Sequence, residues 1–266
     1  MVVRPMSIYA EPRYVEDPAK CWFYHTIDLP GLGTVKGNWD LRKRFDDYTG
    51  HVALAGKRVL DIGTASGFLS FEAERRGAAE VVSFDSASRA MHHHVPYPEV
   101  RRNPGGWHDT SQHPDIFDTM RDGYWLSHRL LGSRAKCYYG NVYDLPAELG
   151  EFDVVLVGQI LAHLRDPLGA LTSIAARCRG TMVITDGMLE TDQPIALFPG
   201  HAKTPMSVYR QVVWWQLSPV LLRNFLQILG LETLSSKTSL YDYDHRTGGT
   251  YQMQLNTMVL VRTEPV

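Results

Sequence analysis

The sequence predicts an α/β protein built around a mainly parallel, Rossmann-like sheet. From about Lys57 onward, short apolar runs bounded by glycine and aspartate alternate with amphipathic stretches, the pattern of strands joined by crossover helices. Several of these runs are apolar throughout, as strands covered on both faces must be. The predicted strands are residues 58–62, 80–84, 136–139, 152–157 and 181–185.

Two helices have clear sequence signals. After the first strand, Phe68, Leu69, Phe71 and Ala73 fall near one helical face, and Gly77 ends the segment. The second helix starts with Ser218 as N-cap and Pro219 at its first position, and it ends at Gly230.

The C-terminal part departs from the alternating pattern. Residues 240–243 and 252–261 read as two strands around the Thr-Gly-Gly-Thr loop at 247–250, which predicts an antiparallel hairpin. Residues 92–130 and 187–217 are rich in proline and fit no simple strand–helix unit. Long irregular segments of this kind are typical of lids or binding loops.

Composition excludes several classes of protein. The 266 residues are 44% hydrophobic, which is too apolar for a disordered chain. The formal charge of −2 provides no global basic field for a phosphate backbone, but it does not exclude a nucleic-acid partner. Three cysteines without C-x-x-C spacing argue against a disulfide framework or a cysteine zinc site. No apolar leader or membrane span is visible, so we expect a cytoplasmic protein.

The stretch from Val59 to Phe68 runs from a strand through a glycine-bearing turn into a helix. Glycine at 63 and 67 removes the Cβ atoms that would block a ligand, and the helix start presents free N–H groups. Asp85 ends the next predicted strand, where a carboxylate can bind both ribose hydroxyls of a nucleoside. The cofactor-binding residues predicted from this region are Asp61, Gly63, Thr64, Ala65, Gly67, Phe68, Asp85 and Ser86.

The loop sequence narrows the choice of nucleoside. A dinucleotide site requires G-x-G-x-x-G, whereas Ala65 stands where the second glycine should be. Asp61, just before the loop, suits a ligand with an ammonium group better than a phosphate. The predicted cofactor is therefore S-adenosylmethionine, with S-adenosylhomocysteine as product. An ordinary strand–helix turn, with glycines used only for packing, is the alternative.

The chain also resembles the class I S-adenosylmethionine-dependent methyltransferases, and within them bacterial relatives of the wobble-uridine tRNA enzymes that use carboxy-S-adenosylmethionine. The resemblance lies in WFYHTIDL at 22–29, GNWDLR at 37–42, NVYDL at 141–145, HLRDP at 163–167 and the tryptophans at 214–215. It implies a seven-stranded sheet and an N-terminal segment folded over the cofactor. It also implies that Asn141 and Val142 contact adenine through a side-chain acceptor and a backbone N–H.

One methyltransferase domain is expected over residues 1–266. Its predicted parts are an N-terminal cover at 1–56, a cofactor-binding core at 57–186 with an insertion at 92–130, a substrate lid at 187–217, and a C-terminal helix and hairpin at 218–266.

The acceptor site should lie at the carboxyl edge of the sheet. His163 follows the strand at 152–157 and is a candidate general base, although it could equally hydrogen-bond its own loop. Gln159 is a second catalytic candidate, and Gly158 leaves room for the cofactor. The predicted substrate-binding residues are His25, Trp39, Arg165, Tyr209 and Trp214.

No metal is expected, because the histidines at 92–94 lack ligand spacing and are better explained as solvated loop residues. The favoured function is methyl transfer to an O, N or C atom of a small metabolite. A tRNA wobble-base modifier and a catalytically silent nucleoside-binding protein are the alternatives. The sequence predicts no membrane partner and leaves a homodimer open.

Overall fold

A seven-stranded sheet forms the centre of the protein. The computed structural model describes residues 7–88, 91–98, 116–201, 211–245 and 249–264. The strands of the central sheet are β3 (Arg58–Ile62), β4 (Glu80–Ser86), β5 (Lys136–Gly140), β6 (Phe152–Gly158), β7 (Cys178–Asp186), β10 (Leu231–His245) and β11 (Gly249–Arg262). Two short antiparallel pairs lie outside it: β1 (Ile27–Leu29) with β2 (Gly33–Val35), and β8 (Ala196–Leu197) with β9 (Gln216–Leu217).

The strand order is β10-β11-β7-β6-β3-β4-β5. Strands β3 to β7 are parallel, and β11 pairs antiparallel with both β7 and β10. Ile62 lies opposite Phe84 on β4 and opposite Val157 on β6, so these three strands reach their carboxyl ends together. The predicted parallel sheet with a C-terminal antiparallel hairpin is confirmed.

The α-helices in the described part of the chain are α1 (Phe45–Tyr48), α2 (Phe68–Arg75), α3 (Ile116–Leu131), α4 (Pro167–Ala175) and α5 (Pro219–Ile228). The predicted N-cap of α5 is present, because the Ser218 hydroxyl accepts the Leu221 N–H at 3.1 Å. Helices α2 and α3 cover one face of the sheet together with the N-terminal segment, and α4 and α5 cover the other.

Three elements differ from the sequence prediction. Part of the supposedly irregular insertion 92–130 is α3, which connects β4 to β5 and buries Tyr124 and Trp125 against the sheet. Helix α4 follows the HLRDP motif, with Asp166 as its N-cap, and was not predicted. Strand β10 is much longer than the predicted 240–243. The prediction missed its full length because β10 is an edge strand whose polar residues are mostly exposed and show no apolar alternation.

Arg262 at the end of β11 connects the two helices on its face of the sheet. Its guanidinium donates to the carbonyl oxygens of Cys178, Leu229 and Ala175. Two of these carbonyls lie at the C-terminal ends of α4 and α5, where a cation satisfies the unpaired carbonyl oxygens of a helix. The hairpin therefore closes the core that supports the parallel strands.

The N-terminal segment is anchored by Trp39, which is 2% exposed. Its backbone accepts the Thr26 N–H at 2.7 Å and bridges to Tyr243 on β10, whose ring centroid lies 4.9 Å from the indole. Asn38 adds a reciprocal pair of hydrogen bonds with the backbone of Asp244. Trp39 was predicted to contact substrate, whereas the structure places its indole in the core.

None of the helices in the described ranges is both long and apolar enough to cross a lipid bilayer.

Replacing Trp39 tests this anchoring role. Trp39→Ala should lower the free energy of unfolding by about 3–5 kcal/mol, the usual cost of removing a large buried aromatic side chain. Chemical denaturation monitored by circular dichroism measures it. Tyr251→Ala removes a half-exposed aromatic of the same hairpin and should change stability by about 0.5 kcal/mol or less. Equal effects of the two substitutions would show that Trp39 is not an anchor.

Candidate functional site

A cavity of about 310 Å³ opens at the carboxyl ends of the parallel strands. It is enclosed by the loop after β3, the ends of β4 to β6, the N-terminal segment and the segment before β9. The residues that line it are Trp22, Tyr24, Ile62, Gly63, Ala65, Phe84, Asp85, Ser86, Met91, His92, His93, His94, Phe117, Met120, Gly140, Asn141, Val142, Tyr143, Gly158, Gln159, Ile160, His163, Leu164, Arg165, Gln211 and Val212.

The glycine-bearing loop has an unusual backbone. Gly63, Ala65 and Gly67 all have positive φ, at 77°, 52° and 91°. A side chain at position 63 would overlap the side chain of Ile160, so only glycine fits there. Ala65 holds a left-handed conformation that non-glycine residues rarely adopt, and such strain tends to occur at functional sites.

Asp61 supports this loop by hydrogen bonds to the residues that follow it on the loop and on helix α2. One carboxylate oxygen, Oδ2, accepts the hydroxyls of Thr64 at 2.8 Å and Ser70 at 2.7 Å, while Oδ1 has no partner among the described residues. Burial raises the pKa of Asp61 to about 6, and the two hydroxyl hydrogen bonds oppose that rise. Asp61 is fully buried and does not line the cavity, so its predicted direct contact with an ammonium group is not what its position supports.

Three other predicted cofactor contacts lie behind the cavity wall: Thr64, Gly67 and Phe68. Thr64 is hydrogen-bonded to Asp61, Gly67 is the N-cap of α2, and Phe68 packs in the core. Their physical role is to hold the loop. Gly63, Ala65, Asp85 and Ser86 do line the cavity, as expected.

Asp85 lies at the end of β4 and contributes its carboxylate to the cavity wall. Its Oδ2 accepts the Ala65 N–H at 2.9 Å, and its Oδ1 accepts the Ser86 N–H at 2.7 Å. Burial raises its pKa, and these two backbone donors oppose the rise. Each carboxylate oxygen accepts more than one hydrogen bond, so both can still accept from a ligand.

Asn141 and Val142 line the cavity just after β5. The Asn141 side-chain oxygen accepts the Tyr143 N–H at 3.1 Å, forming a turn that presents this stretch of backbone. The predicted role of the Asn141 side chain as an acceptor for adenine therefore competes with its own turn.

Gly158 and Gln159 end β6 at the cavity. A Cβ at Gly158 would lie 2.7 Å from the Tyr48 hydroxyl oxygen, so glycine is required by the tyrosine beneath it. Gln159 has φ of 51°, a second strained non-glycine residue in the site. Its amide Nε2 lies 3.4 Å from the Tyr48 hydroxyl, which leaves its Oε1 as an acceptor for other groups.

His163 lies in a 3-10 turn, Leu161–His163, and lines the cavity. Its Nδ1 is 2.9 Å from the carbonyl oxygen of Val212. A carbonyl can only accept, so Nδ1 carries the proton and Nε2 of the neutral ring is the acceptor. Both predicted roles of His163 are compatible with this geometry, since the ring holds its loop with one nitrogen and keeps a basic one.

Asp186 at the end of β7 was missed by sequence reasoning. Its buried carboxylate accepts the N–H groups of Leu161 at 3.0 Å and Gly187 at 2.8 Å, and that of Ala162 as well. It therefore fixes the turn that carries His163. Burial raises the pKa of Asp186, and the nearby His163 ring opposes that rise. An aspartate directly after an apolar strand was the available signal.

The predicted substrate-binding residues are only partly brought together. Arg165 lines the cavity at its exposed rim. His25 is buried against Phe68 at 5.6 Å between ring centroids, and burial lowers its pKa to about 3, so it is a neutral core residue. Trp214 lies outside the lining and donates to the His93 carbonyl. Tyr209 lies outside the described residues.

Several lining residues had been given no site role from the sequence. The histidines at 92–94 line the cavity, whereas they had been interpreted as solvated loop residues. Among the described residues, no three His, Cys, Asp or Glu side chains form a metal-binding group. Trp22 and Tyr24 lie far in sequence from Gln211, and no local pattern marks them as its neighbours.

The sequence matches the family model for a methyltransferase domain over residues 40–235. Ubiquinone biosynthesis O-methyltransferase from Neisseria meningitidis serogroup C (strain 053442) is 30% identical over 149 residues, covering 55% of this chain and 48% of that protein. tRNA U34 carboxymethyltransferase from Methylococcus capsulatus is 25% identical over 214 residues, covering 79% and 55%. The chain thus spans about half the length of these curated relatives.

Among solved structures, magnesium protoporphyrin IX methyltransferase from Synechocystis PCC 6803, with bound S-adenosylhomocysteine, superposes with a TM-score of 0.51 at 15% identity. The superposition covers 84% of this chain and 81% of that one. The fold, the strand order and the family match over residues 40–235 agree. The chain belongs to the methyltransferase domain family and has the class I, Rossmann-like fold.

Proposed function

We propose that this protein transfers a methyl group from S-adenosylmethionine to an O, N or C atom of a small-molecule acceptor. The observation that carries the proposal is the position of the Asp85 carboxylate, which faces the cavity beside the strained loop at 63–67. An acid at the end of the second strand and a close-approach loop after the first suit a nucleoside. The proposal extends to this chain the type of reaction named for its relatives.

The residues present fit the cofactor. Asp85 would accept the ribose hydroxyls, and the backbone near Gly63 would lie against the methionine part. Val142 and Asn141 would border the adenine. The partnerless Oδ1 of Asp61 adds a buried negative charge behind the loop, which favours a cationic ligand in front of it. When bound, S-adenosylmethionine supplies an activated methyl group and leaves as a thioether.

The acceptor would lie between the cofactor and the wall formed by Gln159, His163 and Val212. His163 Nε2 would take the proton of an acceptor hydroxyl or amine as the methyl bond forms. Asp186 keeps the turn of His163 in place and puts a negative charge near the imidazolium that results. Gln159 Oε1 would accept a hydrogen bond from the acceptor and align it. The described parts of residues 1–56 and 187–217 would exclude water.

A small acceptor fits the site better than tRNA. The described lining is mostly apolar or aromatic, and apart from its histidines the ionisable acidic and basic side chains in it are Asp85 and Arg165. A single exposed arginine gives little affinity for a phosphate backbone, which needs several cationic contacts. The tRNA alternative rests on the sequence resemblance to the wobble-uridine enzymes and on the name of one relative. The catalytically silent alternative predicts binding without methyl transfer.

The role of Asp85 can be tested by calorimetry with S-adenosylhomocysteine. Asp85→Ala should weaken binding by about 1.5–3 kcal/mol, the usual contribution of hydrogen bonds to a charged group. Asp85→Asn should lose less, because its side-chain oxygen still accepts. Asp242→Ala removes an exposed acid outside the cavity lining and should bind like the parent. An Asp85→Ala variant that folds and binds with parental affinity would exclude the ribose role.

The role of His163 can be tested with His163→Asn, whose amide N–H can replace Nδ1–H toward Val212. If His163 is the base, initial rates of tritium transfer from labelled S-adenosylmethionine into a metabolite fraction should fall roughly 10²- to 10⁴-fold. Cofactor affinity should be unchanged. His51→Asn, at an exposed histidine, is the control. A parental rate in His163→Asn would assign His163 to structure alone.

Substrate class can be tested by titrating bulk tRNA at several salt concentrations. A small-molecule enzyme should bind tRNA with a Kd of roughly 10⁻⁴ M or weaker at physiological salt and with a shallow salt dependence. Fluorescence anisotropy with labelled tRNA measures both. Binding near 10⁻⁶ M with a steep salt slope would favour the tRNA alternative.

A further inference from the structure

Gln211 is a buried amide in the cavity wall that has not been used by the proposed mechanism. Its side chain is 3% exposed, and its Nε2 has no hydrogen-bond partner in the part of the chain that the structure describes. The backbone of Gln211 is fixed, because its carbonyl accepts the Val95 N–H at 2.8 Å. An unpaired buried N–H₂ group lowers stability unless a ligand supplies an acceptor.

Gln211 lies beside the candidate base. The next residue, Val212, provides the carbonyl that accepts from His163 Nδ1. Residues 211 and 212 therefore have two roles. Gln211 carries an unpaired hydrogen-bond donor, and the Val212 carbonyl fixes the orientation of the His163 ring, whose Nε2 is an acceptor. A ligand bound beside Gln211 and His163 would meet one donor, Gln211 Nε2, and one acceptor, His163 Nε2.

Aromatic side chains line the cavity on the segment at 91–95, whose Val95 N–H donates to Gln211, and on the residues packed against that segment. The rings of His92 and Phe117 lie 4.0 Å apart at 32°, and those of His93 and Tyr143 lie 6.3 Å apart at 24°. The side chains of Met91 and Met120 add apolar surface that contacts aromatic rings well.

The charges of the cavity lining also limit which group of the methyl acceptor can lie next to Gln211. In the described lining, Asp85 lies on the cofactor side and Arg165 at the exposed rim, so no full positive charge other than a protonated histidine faces Gln211. An anionic group buried there would lack a partner, which is costly. A neutral carbonyl oxygen, in contrast, can accept a hydrogen bond from the amide N–H₂ group without bringing a charge into the cavity.

We infer that Gln211 is a specificity-determining residue that donates a hydrogen bond to a neutral carbonyl oxygen of a flat, hydroxyl-bearing aromatic acceptor. The acceptor hydroxyl faces His163 Nε2, and the ring packs against the aromatic side chains of the cavity wall. This inference rests on the proposed function and adds the class of acceptor to it.

The test uses matched probe pairs: 2-, 3- and 4-hydroxyacetophenone against the corresponding ethylphenols, which replace the carbonyl by a methylene group. Dissociation constants are measured by ligand-observed NMR in the presence of S-adenosylhomocysteine. At least one hydroxyacetophenone should bind the parent protein five to a hundred times more tightly than its ethylphenol partner, as loss of one buried hydrogen-bond partner implies. In Gln211→Met, which keeps the length of the side chain, this preference should vanish.

Stability provides a second measurement. Ligand-free Gln211→Met should melt at or above the temperature of the parent, because it removes an unpaired amide. The exposed Gln227→Met is the matched control and should keep the carbonyl preference. Gln211→Glu replaces the amide donor if the methionine variant fails to fold, and it should also lose the preference.

Equal binding of the paired probes, no binding of any probe, or a preference that persists in both variants would overturn the inference. Binding of S-adenosylhomocysteine is measured separately in the same samples. Its failure would count against the proposed function, whereas intact cofactor binding without a carbonyl preference would count against Gln211 alone.

Discussion

The site depends on one buried carboxylate, that of Asp61, and the hydroxyl network above it. Asp61 binds Thr64 and Ser70, Ser70 is 2.7 Å from Ser83 on β4, and Ser83 accepts the Tyr124 hydroxyl of α3 at 2.9 Å. Two strands, the loop and two helices are thereby tied together beneath the cavity. The network fixes Thr64 on the loop and Ser70 on α2, and the strained Ala65 between them donates its N–H to Asp85.

The cofactor half of the site was predictable because its signals are local. Strand, loop, helix and the terminal Asp85 follow one another within a short stretch, and parallel strands bring their carboxyl ends to one edge. Sequence reasoning could not separate residues that face the cavity from those that support it. Thr64 and Phe68 sit in the same motif as Gly63 and Ala65, yet point to the other side.

The acceptor half was less predictable because its residues come from distant segments. Trp22, His92, His163 and Gln211 meet only after the sheet has formed, and no periodicity links them. The sequence also does not show which side chains are buried. His25 and Trp39 were expected to bind substrate but are buried in the core, whereas the buried Asp186 on β7 holds the turn that carries His163. Helix α3 was hidden by its proline-rich neighbours, since a few prolines made the whole segment read as irregular.

The central claim is that the cavity orders a nucleoside cofactor with its ribose at Asp85 and its sulfur toward the Gln159–His163 wall. A crystal structure of the protein with S-adenosylhomocysteine tests it most directly. We expect both ribose hydroxyls within about 3 Å of the Asp85 carboxylate, the normal length of such hydrogen bonds, with the sulfur facing Gln159. A ligand bound elsewhere, or bound here with its ribose away from Asp85, would contradict the account.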